Sequence, residues 1–203
     1  MQHRYIEKET DHPVFLLLHG TGGSENDLIP VAEMIDPDAS ILTVRGNVTE
    51  NGMARFFKRL EEGVFDEEDL IKQTTHLHEF LDEASTQYGF KRDEVIALGY
   101  SNGANIAGSL LMHFKHSVRA AILYHPMVPI RDITYPDQTG MHVFIGAGEK
   151  DPLVDVAETN ELIERFQSQG IEVEALITAG SHQLTHDEIA KSKQWYESMI
   201  RKK

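Results

Sequence analysis

The chain has 203 residues, enough for one domain with a large core, and its formal charge of −14 argues against phosphate backbones and anionic membranes as partners. It contains no cysteine, which excludes disulfides, thiolate metal sites and a cysteine nucleophile and fits a reducing, cytoplasmic setting. The polar opening Met1 to Lys8 lacks the apolar core of a signal peptide, and the apolar run Val14–Leu18 is far too short to span a bilayer.

In chain order, Val14–Leu18 is apolar at consecutive positions, as in a strand buried on both faces of a parallel sheet. A helix follows with Leu28, Val31, Ala32 and Ile35 on one face; Asp27 is its expected cap and Pro30 falls in its first turn. Ile41–Val44 is the next strand. The residues from Gly46 to Glu68 then fit neither period. A connection of about two dozen residues is unusual in a compact domain and is commonly functional.

A longer helix carries Leu70, Leu77, Leu81 and Ala84, with Gly89 as its stop. Val95–Leu98 is a strand, and the helix after it uses Ile106, Leu110 and Phe114. Strands at Ala120–Tyr124 and His142–Ile145 follow. A helix with Leu162 and Phe166 ends before Gly170, and Glu172–Thr178 is the last strand. The final helix opens with the capping-box pattern Thr185-His186-Asp187-Glu188 and closes on Arg201, Lys202 and Lys203. This alternation predicts one domain over residues 1–203, built as a mostly parallel, doubly wound α/β sheet.

Gly99-Tyr100-Ser101-Asn102-Gly103 lies directly between a strand and a helix. A nucleophile elbow requires that context, because its serine occupies a strained turn and side chains at the glycine positions would collide there. Upstream, Val14–Leu18 runs into His19-Gly20-Thr21-Gly22-Gly23. Acyl transfer needs two preorganised N–H donors for its oxyanion; Asn102, after the nucleophile, and Thr21, in the glycine loop, are the candidates. A phosphate loop is the competing reading, but the run lacks the Gly-Lys-Ser/Thr ending.

The order serine, acid, histidine points to Asp151, just beyond the strand His142–Ile145, with Glu149 as rival. It points to His182 as base, with His186 as the alternative. A zinc reading of His182 and His186 fails at Gln183, which stands where H-E-x-x-H has its glutamate. His125 follows a strand and is a candidate lining residue, whereas His19 is expected to brace the glycine loop.

Together the His19–Gly23 run, Asn51-Gly52-Met53-Ala54-Arg55-Phe56-Phe57, the Gly99–Asn105 run and Gly180-Ser181-His182-Gln183-Leu184-Thr185 resemble the phospholipase/carboxylesterase family of α/β hydrolases, which includes acyl-protein thioesterases. The nearest likeness is to its small bacterial branch of carboxylesterases and hydrolases linked to hydroquinone or catechol stress. Ser181 departs from the Ala-Gly-His pattern usual around the base. The resemblance implies the Ser101–Asp151–His182 triad, no metal and no separate lid domain, but it does not transfer a substrate; the leading reading is a small-molecule ester, with no cofactor. A thioesterase or lysophospholipase would use the same triad, and a non-catalytic binding module is the alternative from another class. Self-association as a homodimer is left open. In the long connection, Met53, Phe56 and Phe57 are expected to wall an acyl pocket. Arg55, within a basic cluster of Arg45, Lys58 and Arg59, either meets an anionic substrate or pairs with Glu61, Glu62, Glu67 and Glu68.

Overall fold

The computed structural model describes residues 1–8 and 11–201, so the expected terminal lysines Lys202 and Lys203 lie outside the described residues. The strands are β1 (His3–Ile6), β2 (Val14–Leu18), β3 (Ser40–Val44), β4 (Val48–Glu50), β5 (Met53–Arg55), β6 (Arg59–Glu61), β7 (Val64–Phe65), β8 (Val95–Tyr100), β9 (Ala120–Tyr124), β10 (His142–Gly148) and β11 (Glu172–Thr178). The α-helices are α1 (Ile29–Ile35), α2 (Glu67–Tyr88), α3 (Asn102–His113), α4 (Val156–Ser168) and α5 (His186–Trp195).

Seven strands form one sheet in the order β1-β3-β2-β8-β9-β10-β11, parallel throughout except for β1. Every residue of β2, β3, β9 and β10 is buried, as their mainly apolar sequences require when helices cover both faces. Successive side chains divide between two cores. Val14, Leu16 and Leu18 pack with Leu77 of α2, Leu110 of α3 and Phe166 of α4, while Phe15 and Leu17 pack with Ile35 of α1 and Trp195 of α5. Leu110 is fully buried, so its truncation to Ala would cost about 2–5 kcal/mol.

Three local features depart from or add to the sequence reading. Asp27 does not cap α1: Leu28 holds that position without a side-chain bond, and the Asp27 carboxylate accepts instead from the amide and hydroxyl of Ser24. β1 carries polar residues on an edge strand and gains its place by antiparallel pairing with β3, which residue pattern alone does not reveal. The long connection contains two short antiparallel hairpins, β4–β5 and β6–β7. The capping box at Thr185 is present as expected, with Thr185 and Glu188 each accepting from the other's amide.

Growth of the sheet reverses between β2 and β8, which are neighbours although far apart in sequence. In open α/β sheets such a switch point opens a crevice at the carboxyl ends of the strands. Thr21, Ser101, His125, Asp151 and His182 all follow the carboxyl ends of sheet strands.

Candidate active site

Ser101 caps α3 with φ +51° and ψ −114°, a conformation that residues other than glycine rarely adopt. Its amide donates to the Tyr124 carbonyl at 2.8 Å, tying the turn to β9. The flanking glycines are steric necessities. A Cβ on Gly99 would stand 2.6 Å from the Gly103 carbonyl oxygen, and one on Gly103 only 1.9 Å from that of Leu18. The strand-to-helix turn thus presses against β2 and lifts the hydroxyl into the crevice.

His182 Nε2 lies 2.9 Å from Ser101 Oγ, and His182 Nδ1 lies 2.6 Å from Asp151 Oδ2. A carboxylate can only accept, so Nδ1 carries the proton and Nε2 presents its lone pair to the serine hydroxyl. Asp151 is itself saturated. Its Oδ1 accepts from the amides of Leu153 (2.8 Å) and Val154 (3.1 Å), and its Oδ2 also meets His125 Nδ1 at 3.1 Å. Burial would raise this carboxyl group's pKa, but the Leu153 amide and the His182 ring outweigh it and hold the group below its ordinary range. The rivals stand apart: Glu149 is exposed, and His186 is exposed at the start of α5.

The two oxyanion candidates are held by the first hairpin. Arg55 Nη1 donates to Thr21 Oγ1 at 2.7 Å, the Gly22 amide donates to the Ala54 carbonyl at 2.9 Å, and the Phe56 amide donates to Asn102 Oδ1 at 2.7 Å. Buried His19 accepts from the Gly46 amide through Nε2 and donates to the Gly20 carbonyl through Nδ1, so it braces the glycine loop as expected. Desolvation lowers its pKa, consistent with a neutral ring.

The crevice has a volume of about 510 Å³ and contains Ser101, His182 and Asn102. Its apolar walls are Phe65 of β7 with Met127, Leu153 and Val154, which corrects the expected acyl wall. Phe56 and Phe57 are fully buried in the core against α2, and Met53 is half-exposed against Gly22 rather than lining the crevice. Sequence periodicity could not separate these phenylalanines from Phe65, because the connection has no regular period. Arg55 does line the crevice, but 3% exposed, with its guanidinium committed to Thr21, the Phe57 carbonyl and Glu50. Arg59 shares Glu50, and Arg45 pairs with Glu25, so the arginines of the cluster pair with glutamates other than Glu61, Glu62, Glu67 and Glu68.

His125 reaches the site more deeply than a lining residue: it is buried, has φ +52°, and contacts Asp151. Two further residues escaped the sequence reading. Tyr100, the variable position of the elbow motif, donates its hydroxyl to the His182 carbonyl at 2.6 Å. Glu188, read only as a cap, is wholly buried with Oε1 3.1 Å from His125 Nε2.

His125, Asp151 and His182 are a ligand-type set, and His12, Asp36 and Asp38 form another. In the first set the 2.6 Å contact between His182 and Asp151 is closer than two ligand atoms sit around a zinc ion about 2.0–2.2 Å from each. It is the spacing of a shared proton. Among the described residues, no helix is long and apolar enough to cross a membrane.

A parallel sheet with a switch-point crevice and a serine on a strained strand-to-helix turn defines an α/β hydrolase. Residues 47–193 match the dienelactone hydrolase family, and the chain belongs to that family. It is 54% identical to the "Putative hydrolase MhqD" of Bacillus subtilis (strain 168), over 98% of this chain and all of that protein. The crystal structure of the Bacillus cereus carboxylesterase superposes with a TM-score of 0.97 at 50% identity, covering 98% of this chain and 95% of the other. Acyl-protein thioesterase 1 of Cryptococcus neoformans var. neoformans serotype D (strain JEC21) is 25% identical over 73% of this chain and 70% of its own length. The protein is therefore a hydrolase of carboxylesterase type.

Proposed function

We infer that the protein is a serine carboxylesterase that cleaves small carboxylic esters through an acyl-enzyme on Ser101. The observation that carries this reading is the continuous Ser101–His182–Asp151 chain, with contacts of 2.9 and 2.6 Å, in the crevice at the sheet's switch point. His182 Nε2 takes the hydroxyl proton as Ser101 Oγ attacks the ester carbonyl. Asp151 keeps the ring in the required tautomer and stabilises the imidazolium that forms.

The oxyanion is received by the amides of Thr21 and Asn102, neither of which meets a backbone acceptor among the described residues outside the regular elements. His182 then returns the proton to the departing alkoxide. Water, activated by the same base, releases the acid. A crevice of about 510 Å³ falls within the range of about 300–1,000 Å³ typical of small-molecule sites.

The test is covalent labelling with a fluorophosphonate, together with turnover of a panel of 4-nitrophenyl esters, acyl-CoA and lysophospholipid. Ser101→Ala is expected to abolish labelling and lower kcat by about 10⁴- to 10⁶-fold. A probe that still labels the Ser101→Ala protein would remove the serine from this role, and faster turnover of acyl-CoA than of any ester would make the enzyme a thioesterase.

A further inference from the structure

The triad leaves one set of buried ionisable groups unused. His125 stands immediately after β9, and its ring bridges two carboxylates from different elements. Nδ1 is 3.1 Å from Asp151 Oδ2, and Nε2 is 3.1 Å from Glu188 Oε1 on α5. The second contact has ion-pair distance without good hydrogen-bond alignment. The three side chains are at most 1% exposed.

A neutral imidazole has one N–H and one lone pair, so either neutral tautomer turns a lone pair toward a carboxylate oxygen. Only the doubly protonated ring offers an N–H to both. The other Glu188 oxygen accepts from the Thr185 amide at 2.8 Å and its hydroxyl at 2.7 Å, and Glu188 sits in the first turn of α5. These contacts pin the side chain and leave Oε1 facing the ring.

The backbone is shaped around the contact. The His125 amide donates to the Gly146 carbonyl at 2.7 Å, and a Cβ on Gly146 would stand 2.8 Å from Glu188 Oε1. The left-handed conformation of His125 is a further cost that the fold bears at this residue. The remaining groups around the ring are His182, with centroids 5.2 Å apart, and Tyr100, which meets it edge-on at 5.9 Å. Tyr124, beside it on β9, turns its hydroxyl to Ser192.

We propose that His125 is a positioning residue for the acid of the triad, held as an imidazolium by Glu188 so that its Nδ1–H fixes Asp151 Oδ2 toward His182. The inference rests on the triad reading above. With two amides on Oδ1 and two ring N–H groups on Oδ2, the carboxylate has no freedom to rotate. Burial disfavours the His125 charge, but Glu188 and then Asp151 more than compensate, and its pKa lies above the ordinary histidine value. When the ring does lose its proton, one of the two contacts becomes repulsive and Asp151 loosens. The consequence is a loss in kcat on the alkaline side, with KM little changed because the His125 ring, though it borders the crevice, is 1% exposed and offers a substrate almost no surface.

The experiment measures kcat and KM for a 4-nitrophenyl ester from pH 6 to 10 in the wild type, Glu188→Gln and His125→Asn proteins. In parallel, histidine ¹⁵N resonances are followed in the Ser101→Ala protein and in its Glu188→Gln derivative. In the wild type, kcat is expected to fall on the alkaline side as His125 loses its proton. Glu188→Gln moves the fall to lower pH. His125→Asn, whose amide can still donate to Asp151 but does not titrate, removes the fall and keeps the plateau within about tenfold of the wild type.

An alkaline limb that is the same in all three proteins overturns the proposal, and so does a His125 ring that is neutral at pH 7 in the Ser101→Ala protein. The resonance measurement needs no turnover and decides the matter even if a His125 variant fails to fold. Full activity remaining in Ser101→Ala would instead sink the triad, and this inference with it.

Discussion

Asp151→Asn tests the arrangement at its most constrained point. Four donors converge on the Asp151 carboxylate: two backbone amides on Oδ1 and two histidine Nδ1–H groups on Oδ2. An asparagine has one oxygen and one NH₂ to place among them. The amides of Leu153 and Val154 cannot become acceptors, so the oxygen must stay with them and the NH₂ must face the histidines. His182 can then meet the NH₂ only through a bare Nδ1, which moves its proton to Nε2 and takes the lone pair away from Ser101. The same inversion in trypsin drops kcat by about 10⁴. At 1.36 kcal/mol per decade this is about 5.5 kcal/mol of lost transition-state stabilisation.

The assay is kcat/KM for 4-nitrophenyl acetate and butyrate, with far-UV circular dichroism confirming the fold. Exposed Glu149 is the control, and Glu149→Gln is expected to match the wild type. Asp151→Asn activity within about tenfold of wild type would refute the tautomer argument.

Phe57→Ala is expected to cost about 3–5 kcal/mol in denaturant unfolding while leaving the ranking of esters unchanged, because Phe57 is fully buried and absent from the crevice. Phe65→Ala and Leu153→Ala should do the reverse, shifting preference between short and long acyl groups by about 1–3 kcal/mol in relative kcat/KM. Arg55→Lys cannot reproduce the fork that reaches Thr21, the Phe57 carbonyl and Glu50, so kcat should fall at least about tenfold, the worth of roughly one charged hydrogen bond; an unchanged kcat would free the Thr21 loop from this brace. For stability, His125 has a raised folded pKa, so its contribution is whole below its unfolded value of 6.5 and fades as pH rises through the folded one. Urea midpoints of Ser101→Ala and Ser101→Ala/Glu188→Gln should therefore converge as pH rises above neutrality.

The sequence made the sheet legible wherever a strand is buried on both faces, since Val14–Leu18 and Ala120–Tyr124 have no polar residue to confuse the period. The meeting of Ser101, Asp151 and His182 was legible for a related reason: each follows the carboxyl end of a strand, and chain order supplies the roles proposed for them. β1 was hidden because its evidence is a partner, β3, and not a pattern. Glu188 was hidden more thoroughly. Its spacing from Thr185 explained it completely as a cap, and nothing local says that its second oxygen faces His125 across the core. Phe57 and Phe65 both lie in a connection without a regular period, yet one is core and the other a wall of the crevice.

The connection between β3 and α2 accordingly divides into two hairpins with different physical tasks. β4–β5 is bonded to the oxyanion side: Ala54 holds Gly22, Arg55 holds Thr21, and the following Phe56 amide holds Asn102. On the proposed mechanism these contacts brace the residues whose amides receive the oxyanion, and a donor that has to reorganise loses much of its catalytic value. β6–β7 contributes Arg59 and Phe65, with Glu62 and Gly63 at its turn, to the wall of the crevice, and its Leu60 is 72% exposed. A surface hairpin with so little of its own core can change residues at small cost to stability. Substitutions in β6–β7 should therefore alter which ester is taken while leaving kcat for the best ester nearly intact. Substitutions at Arg55 should lower kcat for every ester alike. A variant of Phe65 that slows all esters equally would show that the two hairpins act as one unit.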